Sequence, residues 1–173
     1  MSWNKRPKQD LTEQPEAIYP AALAYLARRD YATEELRERL LSRGAGPEAC
    51  EAVIRRLLQQ KYLDDERFAF GRVRQRREFN GRSRVFVRQE LRELGLDEDL
   101  IQQALESEYP AEREEEILKR HLQSELRRLR GSEDPQKRRK ALAGIQRRLA
   151  GKGFPPGEVY HQLITLLEEM DTD

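Results

Sequence analysis

The sequence predicts an all-α protein, an elongated array of three tandem three-helix repeats. Three observations carry this. Ala, Leu, Glu, Arg and Gln, the good helix formers, are abundant, and β-branched residues are few. Apolar residues recur at spacings of three and four, the period of a helix with one buried face. Alignment on Gly44, Gly95 and Gly153 then reveals an ungapped internal repeat. Four residues before the glycines stand Leu40, Leu91 and Leu149; eight before stand Leu36, Val87 and Ile145. Six after stand Cys50, Ile101 and Val159; ten after stand Ile54, Leu105 and Leu163. Offsets of four put each pair on one helix face. The glycine is the natural residue just past a helix end, because it takes positive φ cheaply.

The elements follow in order. Residues 1–16, polar and holding Pro7 and Pro15, read as a mobile tail. The first repeat spans 17–61, with a helix near 17–29. Thr33 before Glu34-Glu35 is its next N-cap candidate, and Gly46-Pro47 opens the third helix with Pro at the first position. The second repeat spans 62–108. Tyr62 and Leu63 close the preceding helix, Asp64 caps a helix near 64–79, and Phe68 with Ala69 starts its buried face. Ser83 and Asp97 cap the two helices that follow, and Phe79 and Phe86 read as core residues of their helices, with stacking on bases as the alternative. The third repeat spans 109–173, with a helix near 110–130. A linker, Gly131-Ser132-Glu133-Asp134, comes next, and Asp134-Pro135 repeats the pattern of cap then Pro.

The hydrophobic fraction of 37% suits small stacked units with thin cores. No apolar run approaches the length of about 20 residues that a membrane span needs. Met1 to Lys8 lacks the apolar region of a signal peptide. Cys50 is the single cysteine, which excludes an intrachain disulfide and fits a reducing, cytoplasmic setting. It reads as a small buried hydrophobe.

The formal net charge of +1, from 33 Lys+Arg against 32 Asp+Glu, conceals a blocky distribution. Residues 67–92 hold nine Arg against two Glu, and 127–152 hold ten Lys+Arg against two acids. Residues 93–117 hold ten acids against one Arg, and 153–173 hold five acids and neither Lys nor Arg. The acidic run 112–116 reads as a solvated face with helix pairs Glu115–Lys119 and Glu116–Arg120. In Arg72, Arg74, Arg76, Arg77, Arg82, Arg84 and Arg88 the local acids are too few to pair most of the arginines. That stretch therefore reads as a binding face for nucleic acid or an acidic protein surface. Arg138, Arg139 and Lys140 form a second, weaker candidate. Arg in place of Lys favours bidentate contact with phosphate or carboxylate.

Enzyme constellations are missing. His121 and His161 lie far apart with no ligand partner at metal spacing, and both read as surface residues. A phosphate-binding loop around Gly151-Lys152 would need Gly at 146 and Ser or Thr at 153, where Gln146 and Gly153 stand. No cofactor or metal is implied, and the reading is a non-enzymatic monomer.

The run Lys61-Tyr62-Leu63-Asp64-Asp65-Glu66-Arg67-Phe68-Ala69 is the most distinctive stretch. Together with Asn80-Gly81-Arg82-Ser83-Arg84, Gln89-Glu90-Leu91 and Leu94-Gly95-Leu96, it resembles the RecX family of bacterial recombination regulators. The resemblance covers about 20–108 well and the third repeat loosely. It implies tandem three-helix repeats and a non-enzymatic modulator of the RecA recombinase in DNA repair and the SOS response. Such a modulator binds the groove of the RecA–DNA filament, mainly as an inhibitor of ATP hydrolysis and strand exchange, and contacts DNA weakly. By position, Arg72, Arg76, Arg77, Arg82, Arg84 and Arg88 are the implied contacts to filament or DNA. The alternative is a stand-alone DNA-binding helical module.

Overall fold

A computed structural model describes residues 14–127 and 135–171, without the side chains of Pro135, Arg138, Glu169, Met170 and Asp171. All but the end of the expected tail, and the linker 131–134 with its Asp134 cap, lie outside the described residues. The helices are α1 (Pro15–Leu26), α2 (Thr33–Leu41), α3 (Pro47–Gln59) and α4 (Asp65–Gln75), the last running into a π-helical turn (Arg76–Asn80). Then come α5 (Arg84–Glu93), α6 (Glu98–Glu108), α7 (Ala111–Arg127), α8 (Pro135–Ala150) and α9 (Pro156–Asp171). No strand occurs among the described residues, as the composition predicts.

The repeat register is a burial register. Leu36, Leu40, Cys50, Ile54 and their counterparts in the other two copies are all at most 2% exposed. Each such aliphatic side chain contributes about 1.5–3 kcal/mol by leaving water. Burial also pushes the Cys50 thiol pKa up.

Gly44, Gly95 and Gly153 have φ of 85°, 77° and 91°. In each copy the next N–H closes back on the leucine carbonyl: Ala45 to Leu40 at 3.1 Å, Leu96 to Leu91 at 3.2 Å and Phe154 to Leu149 at 3.1 Å. These bonds satisfy carbonyls that the helix end leaves open. A fourth turn of the same kind ends α3. The Tyr62 N–H donates to the Leu57 carbonyl at 2.9 Å, and Lys61, not glycine, takes φ of 59°.

The N-caps mostly follow the sequence. Asp64 Oδ1 accepts from the Arg67 N–H at 2.9 Å, Ser83 Oγ from Phe86 at 3.1 Å and Asp97 Oδ1 from Asp99 at 2.9 Å. Thr33 is a correction. It is the first residue of α2, behind Ala32, and its N–H donates to Asp65 Oδ1 at 2.8 Å. A carboxylate 32 residues away satisfies this donor, so the threonine hydroxyl is not used as the cap.

Phe79 is a second correction: it is 81% exposed. The π turn adds a residue to the helical turn and shifts its phase, which carries Phe79 off the buried face that holds Val73. Phe86 is half-buried.

The chain forms two compact units, one of Met1–Ala69 with Leu91–Leu100 and one of Phe70–Glu90 with Ile101–Asp173. In the first, α1, α2 and α3 pack on one another around Ile18, Leu36, Leu40, Val53 and Leu57. In the second, α9 packs on both α7 and α8, and Leu118, Leu122, Ile145, Leu149, Phe154 and Val159 are buried. Helices α4 and α5 each contribute residues to both units, so the middle repeat of the sequence is divided between them.

Candidate binding site on the arginine stretch

The arginines of α4, the π turn and the start of α5 are ordered by partners distant in the sequence. Arg76 forms a bidentate fork on Glu90: its Nε stands 2.6 Å from Oε2, and its Nη2 holds Oε1. Arg72 Nη1 stands 3.9 Å from the same carboxylate and 3.3 Å from Gln75 Oε1. Arg74 forks onto Glu108 at 3.1 and 2.6 Å. Arg77 donates to the Glu108 carbonyl and to Glu78 Oε1, the latter at 2.6 Å. Arg88 donates to Gln102 Oε1. Arg84 Nη1 donates to the Tyr109 carbonyl at 2.8 Å, and its backbone N–H to Glu114 Oε1 at 2.7 Å. Arg82 Nη1 donates to the Gly151 carbonyl at 2.5 Å.

Four of the seven arginines, Arg72, Arg74, Arg76 and Arg77, reach a glutamate, which corrects the expectation that the local acids are too few to pair most of them. Glu90 serves two of them, and Glu108 comes from α6, beyond the local stretch. The electrostatics follow. The fork with Glu108 raises the Arg74 pKa, and the same fork holds the Glu108 carboxyl below its usual range. The bond to Glu90 raises Arg76 against the opposing effect of burial. Of the second candidate group, Arg139 and Lys140 are exposed on α8, while the Arg138 side chain lies outside the described residues.

Beneath the arginines sits a polar joint that the sequence reading missed. Tyr109 is fully buried, and its hydroxyl donates to the Arg82 carbonyl at 2.8 Å. Burial pushes its pKa up. Burial likewise raises the Glu114 carboxyl, against the Arg84 N–H that it accepts. His121 is not the surface residue expected. Its Nε2 lies 3.1 Å from the Gly81 carbonyl, and burial lowers its pKa. A Cβ at position 81 would collide with the imidazole, so glycine admits this contact. Lys152 Nζ donates to the Asn80 carbonyl at 2.8 Å. No local signal marks these residues, because each acts on a turn 27 to 72 residues away.

Among the described residues, no group of three His, Cys, Asp or Glu stands close enough to hold a metal ion. No helix among the described residues is long and apolar enough to cross a membrane.

Family models match the chain twice: the first three-helix domain of RecX at residues 19–57 and the second at 64–105. The regulatory protein RecX of Trichlorobacter lovleyi is 37% identical over 114 residues, covering 64% of this chain and 71% of that protein. The chain belongs to the RecX family. The RecX regulatory protein of Geobacillus kaustophilus is 31% identical over 143 residues, and this chain spans 51% of its length. A crystal structure of regulatory protein RecX superposes with a TM-score of 0.68 at 26% identity, covering 88% of this chain and 72% of that one. RecX from Lactobacillus salivarius, at 21% identity and a TM-score of 0.69, shares the fold. The second RecX domain holds the whole stretch Arg72 to Arg88. Helices α7 to α9 lie beyond both matched domains, yet α8 and α9 keep their buried register.

Proposed function

We propose that this chain is a non-enzymatic regulator, mainly an inhibitor, of the RecA recombinase. It binds the RecA–DNA filament in the cytoplasm through the arginine face of α4, the π turn and α5. Membership of a family whose relatives are regulatory proteins named RecX supports the reading. The observation that carries it is the array of arginine forks. Arg76 on Glu90 and Arg74 on Glu108 already hold the bidentate geometry that a partner's carboxylate or phosphate requires, and Arg72 Nη1 lies 3.9 Å from the same Glu90. Exchange of an internal carboxylate for a partner's anion then needs little reordering of long side chains, which lowers the entropic cost of binding.

The test is the DNA-stimulated ATPase of RecA titrated with this chain. Inhibition near stoichiometric dose is expected, and no change at excess removes the reading. Variants at Arg72, Arg76 and Arg77 locate the face. Replacement by Glu would set new carboxylates beside Glu90, so Gln is the informative substitution. The triple Gln variant is expected to need about tenfold more protein for the same inhibition, a loss of roughly 1.4 kcal/mol. Wild-type potency in that variant refutes the assignment of the face.

A further inference from the structure

Cations in the second unit are held in two ways. Arg82 and Lys152 donate to backbone carbonyls and have no carboxylate partner among the described residues. Arg72, Arg74, Arg76 and Arg77 each reach a glutamate. Within this second group Arg74 stands apart. Its side chain is 54% exposed, while the other three are no more than 26% exposed. The carboxylate it forks, on Glu108, is only 17% exposed.

The fork therefore joins a guanidinium that solvent reaches to a carboxylate that the fold fixes. Glu108 is the last residue of α6. Arg77 donates to its carbonyl. The next residue, Tyr109, is fully buried with its hydroxyl on the Arg82 carbonyl. Arg74 can swing outward on its long side chain, and Glu108 cannot follow. Its release is resisted by the helix itself. The carbonyl end of a helix carries partial negative charge, which disfavours a carboxylate there. The Arg74 guanidinium offsets that repulsion, and a partner that takes Arg74 leaves Glu108 at the helix end without it.

We propose that Glu108 is an autoinhibitory anion, which occupies Arg74 and competes with the partner for it. The inference rests on the proposed function, which puts the partner's anions on this face. A lone carboxylate or phosphate gains little by the exchange, since one anion replaces another. A partner with several anions spaced along the face also meets cations that no carboxylate holds, and those contacts drive the displacement of Glu108. The contact thus selects a dense anionic surface over an isolated anion.

A structural pair and an autoinhibitory one differ in sign. Loss of a purely structural glutamate weakens binding, whereas loss of a competitor strengthens it. Glu108→Gln keeps the size of the side chain and an acceptor oxygen for Arg74 and removes the competing charge. Two assays use the full chain: fluorescence anisotropy of a labelled poly-glutamate peptide, and the RecA ATPase. Glu108→Gln is expected to bind the peptide about two- to fivefold more tightly, the range that an exposed ion pair is worth, and to inhibit the ATPase at a correspondingly lower dose. Glu106→Gln removes an equal charge two residues away on α6. Glu106 accepts from Gln102 and from no arginine among the described residues, so its variant is expected to gain less than half as much. In an Arg74→Gln background, Glu108→Gln is expected to gain nothing beyond what Glu106→Gln gains there, because the two residues act as one pair.

Three results overturn the proposal. One is peptide affinity in Glu108→Gln equal to or below that of wild type. Another is an equal gain in Glu106→Gln. The third is a gain that persists in full without Arg74. Should Glu108→Gln misfold by circular dichroism, Glu108→Ala, which also deletes the charge, decides by the same outcomes. The two readings fail separately. An unaffected RecA ATPase beside a gain on the peptide removes the regulatory reading alone. Inhibition by the wild-type chain with no gain in Glu108→Gln in either assay removes the autoinhibitory contact alone.

Discussion

Lys61→Gly should make the protein more stable, although it deletes a side chain and adds backbone freedom. Lys61 ends α3 with φ of 59°, the conformation that Gly44, Gly95 and Gly153 take elsewhere. A non-glycine residue pays about 1–2 kcal/mol for that conformation. Glycine gives back roughly 0.5–1 kcal/mol through its greater freedom in the unfolded chain. Lys61 is exposed, and its N–H bond to the Leu58 carbonyl at 3.1 Å is made by the backbone, so the substitution keeps it. The net gain is about 0.5–1 kcal/mol, a rise in Tm of roughly 1–4 °C for a chain of this size. Urea unfolding followed by far-UV circular dichroism measures it, with an unchanged m-value as the check on the transition. Gly153→Ala is the converse. Its φ is 91°, and the new Cβ would stand 2.5 Å from Ser83 Oγ and 2.6 Å from Phe86 Cβ. Strain and overpacking together cost about 2–4 kcal/mol. A Lys61→Gly chain less stable than wild type, or a Gly153→Ala chain equal to it, would refute the account of these turns.

Two further expectations follow from the caps and the titrating groups. Glu114→Ala leaves the Arg84 N–H without its acceptor and should cost about 1–2 kcal/mol, while Glu114→Gln keeps an acceptor oxygen and should cost less; equal losses in the two urea titrations would contradict this. Acid should destabilise the second unit by two routes. The Glu108 pKa lies below its ordinary value because of Arg74, so its contribution is complete above the unfolded pKa and is lost as pH falls through the folded one. The His121 pKa is lowered by burial, so the unfolded chain takes up the proton first and stability begins to fall below about pH 6.5. His121→Gln should remove the portion nearest neutrality from a plot of urea midpoint against pH, and an unaltered curve would exclude His121 as its source.

The fold was legible because its determinants are short-range. A helix face is written in residues three and four apart, and a helix end in the glycine and cap beside it. Leu36, Leu40 and Gly44 lie within nine residues of one another, and two copies of the pattern confirm the register. Thr33 failed for the opposite reason, since its N–H found Asp65 across the first unit. Phe79 failed because helical phase presumes 3.6 residues per turn, and the π turn breaks that presumption. Lys61 escaped notice because its side chain carries no sign of positive φ.

The binding stretch was half legible. Its abundance of arginine is a property of composition, and the family motif points to the same place. Which cations are neutralised is not a property of composition. Arg76 meets Glu90 across 14 residues and Arg74 meets Glu108 across 34, pairings that a count of charges along the chain does not assign. Lys152 stands beside a failed phosphate-loop pattern and becomes notable only when its ammonium is found on Asn80, 72 residues back.

By itself, then, the sequence determined the helices, most of their ends, the buried register of the three copies and the family. Each of these rests on residues near one another in the chain or on a motif read along it. Only the tertiary structure decided how charge is distributed over the folded surface. A carboxylate neutralises the guanidinium it touches, not the one it follows, so pairing depends on where helices place their side chains. That is why α4 and the π turn carry arginines already clamped by glutamate, while Arg82 and Lys152 keep their charge.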